Sequence, residues 1–218
     1  MFGGFFRQGK EIQQPTAAQA VVGAGESKLE STYFNMGCGF SKLQGCINVD
    51  ASPQCDPDYL FDLEDTPWPW PDASAECVVF NHSLEHMGQN PRVFLAIFKE
   101  LYRICRHDAK VYINVPHPRH DSFLNDPTHV RPVTPTMLTL FDRAQNDSWK
   151  ERGCSNTLLA YYLDVDFRLE KITTKLEEPY ATQYKAGEIT DEEMDRIERE
   201  RNNVIREYHM ELRVVKNG

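Results

Sequence analysis

A short apolar run ending in Gly-x-Gly, followed by a second apolar run ending in an acid, constrains this chain more than any other feature. The residues are Tyr33-Phe34-Asn35-Met36-Gly37-Cys38-Gly39-Phe40 and then Ile47-Asn48-Val49-Asp50. The spacing predicts a strand, a tight glycine turn, a helix or helical turn, and a second strand carrying a carboxylate at its C-terminal end. In an open α/β sheet, ligands sit beyond the carboxyl ends of the strands. Glycine lets backbone approach a ligand where a Cβ would collide. Asp50 can accept two hydrogen bonds from a ribose diol, and a bond to a charged partner contributes about 1.5–3 kcal/mol. The stretch therefore predicts a nucleoside site but not the identity of the nucleoside.

The chain around it, 218 residues, fits one domain with a core of its own. Residues 1–29 are weakly periodic and read as a flexible arm with a short helix near 15–22. The domain is expected over 30–218. The apolar start, Met1-Phe2-Gly3-Gly4-Phe5-Phe6-Arg7, is too short for a signal peptide, and its charge follows the apolar part. No apolar run reaches the length of a membrane span. Cys38, Cys46, Cys55, Cys77, Cys105 and Cys154 form no C-x-x-C pair and read as free thiols in a reducing cytoplasm, with Cys77 and Cys105 in the core. A net charge of −9 argues against broad nucleic-acid binding, which depends on neutralising phosphates.

Taken in order, strands are predicted at Ser31–Met36, Ile47–Asp50 and Tyr59–Leu63. Thr66-Pro67-Trp68-Pro69-Trp70-Pro71 follows, a stiff loop because its three prolines forbid helix and central strand. Its tryptophans either cover the sheet edge or form a lid, and the first is favoured. Glu76–Phe80 is a nearly continuous apolar run, as for a strand buried on both faces. Asn90-Pro91 opens a helix as N-cap and first residue, with Phe94, Ile97, Leu101 and Ile104 on one face. Lys110–Val115 alternates and predicts the next strand. Strand–helix–strand repetition implies a parallel sheet with right-handed crossovers. Thr134-Pro135 starts another helix, burying Met137, Leu138 and Phe141. Asp166–Leu176 reads as a long strand. Thr190 and Glu193 form a capping box that opens a charged helix to about Arg206. His209–Val215 alternates and closes the chain as a strand.

This order of motifs resembles the class I S-adenosylmethionine-dependent methyltransferases, especially the small bacterial type with a Leu-Glu-His signature after the fourth strand. The resemblance spans roughly residues 31–216. It rests on Asn35-Met36-Gly37-Cys38-Gly39, Val49-Asp50, Phe61-Asp62-Leu63 and His82-Ser83-Leu84-Glu85-His86. Lys42 stands where a dinucleotide-binding turn has its third glycine, which favours a methyl donor over a pyrophosphate. The resemblance implies a Rossmann-like α/β fold: a seven-stranded, mostly parallel sheet of order 3-2-1-4-5-7-6 with helices on both faces. It implies S-adenosylmethionine as cofactor and S-adenosylhomocysteine as product. The Gly37-Cys38-Gly39 backbone would pass the methionine and ribose portions. Asp50 would hold the ribose, Asp62 and the Leu63 amide the adenine edge, and Asn81 and His82 would face the methionine portion. Lys42 either reaches the methionine carboxylate or is simply solvated.

An oxygen or nitrogen acceptor usually loses a proton on methylation, and histidine titrates near neutrality. His82 and His86 follow the fourth predicted strand, and His117, His120 and His129 follow the fifth. That places them on the ligand side of the sheet, whereas His107 and His209 read as structural or surface residues. The loop His117–Pro132 has three readings. His117, His120 or His129 is a general base oriented by Asp121 or Asp126; or the side chains bind a divalent metal; or they hydrogen-bond the loop into shape. H-x-x-H in a loop lacks the fixed geometry of a helical two-His site, so no metal is assigned. Arg119 and Arg131 would clamp an acidic acceptor, with His86 beside them. The expected function is methyl transfer to a small or medium-sized acceptor, with no membrane partner. A helical insert at about 178–206 is a candidate cap or homodimer contact. The alternatives are a non-catalytic cofactor-binding subunit and a methyltransferase acting on RNA or protein.

Overall fold

A computed structural model of the protein describes residues 31–216. The predicted arm and its short helix lie outside these residues. Seven strands form one sheet in the order β3-β2-β1-β4-β5-β7-β6. They are β1 Tyr33–Met36, β2 Ile47–Asp50, β3 Tyr59–Leu60, β4 Ala75–Asn81, β5 Cys105–Pro116, β6 Phe167–Leu176 and β7 Ile205–Val214. β1 to β5 run parallel, and β7 is antiparallel to both β5 and β6. This is the predicted order.

The main helix is α1, Pro91–Ile104, and its Asn90 side chain accepts from the Arg92 amide as the sequence predicts. Its apolar face buries Phe94, Ile97, Phe98, Leu101 and Ile104 in one core with Phe34, Met36, Val78, Phe80 and Ile113. Between β5 and β6 lie α2 Asp121–Leu124, α3 Pro135–Leu138, α4 Arg143–Glu151 and α5 Leu159–Leu163. Phe141, after α3, stacks on Phe98 at 4.2 Å, so this segment shares a face of the sheet with α1. The same face carries Trp68 and Trp70, both buried, with Trp70 edge-on to Phe34 at 5.2 Å. The tryptophan loop is therefore core cover, stapled to α1 by Arg103, which donates to the Trp68 and Trp70 carbonyls.

Several elements differ from their sequence prediction. The β1–β2 connection is a turn with no α-helix. On the side of the sheet away from Phe34, Asn35 pairs with Asn48 (Nδ2 to Oδ1, 2.9 Å), and both are buried. Asn48 also accepts the Leu43 amide and donates to the Leu43 and Cys46 carbonyls and to Asp58. A hydrogen-bonded loop thus covers a region that a helix would otherwise pack. β3 ends at Leu60, because Phe61 to Asp65 turn back and the Asp65 amide donates to the Asp62 carbonyl. Cys77 is half-buried and outside the core cluster.

α4 and α5 have no sequence prediction: α4 is largely polar, and among its residues only Asn146 and Trp149 are buried. α6 Tyr180–Lys185 and α7 Asp191–Glu200 fill the β6–β7 connection. The Thr190–Glu193 capping box forms. α7 stops at Glu200 rather than near Arg206, because Ile205 onward is taken into β7. There Ile205 pairs with Leu176 and Glu207 with Pro116. Two-sided strand pairing satisfies more backbone groups than a last helical turn would.

Candidate active site

The parallel strands β1, β2 and β4 end together, and the turns that follow them touch. Gly37 has φ +69°, and its amide and that of Cys38 both donate to the Val49 carbonyl at 2.9 Å. A Cβ on Gly37 would lie 2.5 Å from Ser83 Cβ, so only glycine fits against the turn after β4. Ser83 fixes that contact by donating to the Met36 carbonyl at 2.7 Å. Gly39 also has positive φ, but a Cβ there would meet nothing within 4 Å. The glycine turn therefore has one packed side and one open side.

Asp50, at the end of β2, accepts the Gly39 amide on Oδ2 at 2.7 Å and the Ser52 amide on Oδ1 at 2.9 Å. Each oxygen keeps a lone pair beyond these bonds. The Phe61 amide donates to the Asp50 carbonyl, which brings Asp62, exposed and one residue on, to the same end of the sheet. Leu63 is buried and accepts the Trp68 indole N–H on its carbonyl. Cys38 is buried, and desolvation, with Asp50 nearby, pushes its thiol up to about 11, so it stays protonated. Lys42 pairs with Asp56 at 2.9 Å.

At the end of β4, Asn81 accepts from Asn114 and is exposed. His82 has φ +52°, unusual for a side chain with a Cβ. Its ring lies between two carboxylates, with Nε2 3.7 Å from Glu207 and Nδ1 3.5 Å from Glu85. Glu207, then Glu85, push its pKa up to about 9. Glu207 itself is held well below the usual carboxylate range by His209 first and His82 second. Residues Leu84–His86 form one 3-10 turn, in which Glu85 is buried and His86 exposed.

The histidine loop divides into two groups. His117 and His120 sit at its start. His117 Nδ1 accepts the Arg119 amide, and burial, then Arg119, pushes its pKa down to about 4. His120 caps α2 through Nδ1, while Nε2 lies 3.1 Å from Glu177. Both rings hold the loop's fold. His129 sits at the far end and returns to the turn after β4. Its ring meets His86 edge-on at 4.5 Å. The amides of Val130 and Arg131 donate to the Glu85 carbonyl, clamping the loop to that turn. Asp126 accepts the Thr128 hydroxyl at 2.6 Å, and Asp121 opens α2. Arg119 donates to the Glu198 and Arg199 carbonyls near the end of α7, and Arg131 to the Gly88 carbonyl with its guanidinium 4.3 Å over Phe94. Both guanidiniums are therefore engaged within the chain.

The fold thus brings together Gly37, Gly39, Asp50 and Asp62 on one side, and His82, His86, His129 and Asp126 on the other, with Ser83 touching the glycine turn. His117, His120, Arg119 and Lys42 make contacts of their own beyond the cluster. Sequence reading passed over Asn35, Asn48, Ser83 and Glu207. For Asn35 and Asn48 the available signal was a polar residue within each of two short, otherwise apolar strands. Glu207 had none, because it fell between the predicted helix end near Arg206 and the strand predicted from His209.

No protein-family model matches the sequence, and no curated protein matches it. Solved structures do. A SAM-dependent methyltransferase from Archaeoglobus fulgidus superposes with a TM-score of 0.55 at 17% identity, covering 83% of this chain and 85% of that one. A SAM-dependent methyltransferase from Methanosarcina mazei gives 0.50 at 12% identity, covering 85% and 92%. At such identities the likeness is one of fold. With the strand order and the antiparallel β7, it makes this chain a Rossmann-like domain with the fold of class I S-adenosylmethionine-dependent methyltransferases.

Proposed function

We propose that this protein transfers the methyl group of S-adenosylmethionine to an oxygen or nitrogen of a small or medium-sized acceptor. The observation that carries the reading is the convergence of the open side of the Gly37–Gly39 turn, the spare lone pairs of Asp50 and the exposed Asp62 at one end of the parallel strands. These groups suit a nucleoside: bare backbone for close approach, one carboxylate for the ribose diol and one for the adenine edge. When bound, S-adenosylmethionine supplies a methyl activated by its sulfonium, and transfer to an acceptor lone pair leaves S-adenosylhomocysteine.

The chain's own contribution is positioning, which can lower a barrier by about 7–11 kcal/mol. Gly37 packed on Ser83 fixes the donor side of the site against the turn that carries Glu85 and His86. Acceptor chemistry belongs on that turn and on His129, because there the His86 and His129 rings meet from two clamped segments. His117, accepting the Arg119 amide, and His120, meeting Ser122 and Glu177, act as the loop's frame.

Titration calorimetry tests the donor claim. Both S-adenosylmethionine and S-adenosylhomocysteine should bind, and Asp50→Ala should weaken each at least about tenfold, the loss of one charged hydrogen bond. Absence of binding to either compound overturns the reading, and unchanged affinity in Asp50→Ala overturns the ribose assignment.

A further inference from the structure

Glu85 is an anomaly. It is 1% exposed, and neither carboxylate oxygen has a hydrogen-bond partner. Burying a carboxylate with no hydrogen bond is costly even with a charged partner such as His82 nearby. Its neighbours in reach are His82 Nδ1 at 3.5 Å and His129 Nε2 at 3.9 Å, both measured to Oε1. The structure calls for something further to satisfy the carboxylate.

His86 and His129 are oriented to hold a cation against it. His129 Nδ1 lies 2.9 Å from the Phe123 carbonyl, which can only accept, so Nδ1 carries the proton and Nε2 of the neutral ring carries the lone pair. His86 Nδ1 lies 2.9 Å from the Thr128 hydroxyl, which gives its single proton to Asp126 at 2.6 Å. Thr128 must then accept from His86, so His86 Nδ1 is protonated and its Nε2 also carries a lone pair. One ligand atom from each of Glu85, His86 and His129 falls within 4.8 Å of the others. A tetrahedral site with bonds of 2.0–2.2 Å has ligand separations of about 3.4 Å, so an ion would draw atoms now as far as 4.8 Å apart together by as much as about 1.4 Å, a change of side-chain rotamer scale. Backing each ligating imidazole with an oxygen partner on its other nitrogen is how proteins fix the tautomer and aim of metal-binding histidines. The clamp from Val130 and Arg131 to the Glu85 carbonyl holds the two ligand-bearing segments in register.

We propose that Glu85, His86 and His129 bind a divalent transition-metal ion, with Thr128 and the Phe123 carbonyl as the groups that orient the imidazoles. Two imidazoles and one carboxylate favour zinc, iron or nickel over magnesium or calcium. Three protein ligands leave a coordination position open, as catalytic metal sites do. The exposed edge of His86 gives access to it. If the methyl-transfer reading holds, that position takes the acceptor's oxygen or nitrogen, and coordination makes its proton easier to lose to solvent. The binding of the metal does not depend on that reading.

The test uses untagged, chelator-treated full-length protein, titrated with zinc against a chromogenic chelator. One equivalent should bind. His86→Ala, on an exposed ring, and Glu85→Gln should each weaken binding at least tenfold. Thr128→Val, which removes only the orienting hydroxyl, should weaken it about 10–100-fold. His107→Ala, far along the chain from the cluster, is the control and should bind as the parent does. Far-ultraviolet circular dichroism on each variant separates loss of a ligand from loss of fold, and His86→Ala decides if Glu85→Gln does not fold. Substoichiometric zinc, or parent-like affinity in folded His86→Ala and Thr128→Val, overturns the proposal. S-adenosylmethionine binding by the same metal-free protein keeps the two readings distinguishable. Donor binding without zinc binding removes the metal alone, and zinc binding without donor binding removes the methyl-transfer reading alone.

Discussion

His117 shows how one side chain couples the fold to pH. It is buried where β5 gives way to the loop, against Tyr208 on β7, with Arg119 and His120 as the charged or titratable groups facing it. Its pKa is pushed from 6.5 down to about 4, so the unfolded chain binds a proton on it before the folded chain does. Stability from this group is complete above pH 6.5 and is lost as pH falls toward 4. The shift corresponds to at most about 3 kcal/mol. Urea unfolding at several pH values should show that loss in the parent protein, and a shallower dependence over the same window in His117→Gln. Equal slopes would mean that His117 is already neutralised or solvated in another way. A position beyond a strand and the residue type were legible in the sequence. The division of the histidines into loop-holding His117 and His120 and the mutually contacting His86 and His129 was not, because it depends on which group each ring meets across the fold.

Elements were legible where their signal is local. The Asn90-Pro91 helix start, the Thr190–Glu193 capping box, and strands β1, β2 and β4 were placed to within two residues, since caps and periodicity act over a few neighbours. β7 was placed late because its first residues gain their partners from β5 and β6, far away in sequence. The β1–β2 turn is the sharper case. Asn48 holds it from the inside, bonding Asn35, Asp58 and both backbone groups of Leu43. Asn48→Ala should leave several of these groups unpaired and cost about 3 kcal/mol. The urea midpoint should fall with an unchanged m-value. A loss below about 1 kcal/mol would mean that water replaces the side chain.

For the molecule as a whole, the strand order puts one end of the parallel sheet to use. Gly37, Asp50 and the turn after β4 meet there, although 50 residues of sequence separate Gly37 from Met87. A ligand that binds only this assembled end stabilises the entire fold. At a hundred times its Kd, S-adenosylmethionine should add about 2.7 kcal/mol. That raises the thermal midpoint by about 5–10 °C for a domain of this size. Asp50→Ala at the same ligand concentration should lose most of the rise, and an unchanged midpoint in the parent would count against a donor site.

By itself the sequence determined the sheet class, the glycine turn and its acid, and the main helix, because hydrophobic period, caps and glycine geometry are short-range properties. Only the tertiary structure decided what sits beside what. It closed the β1–β2 loop with a buried amide pair, tied Arg119 and Arg131 into the frame, and set an unbonded Glu85 against His86 and His129. Apart from Glu85 beside His86, those pairings join residues from 13 to 80 positions apart. They are fixed by strand order and by the backbone clamp between two loops, and no local pattern in the chain encodes them.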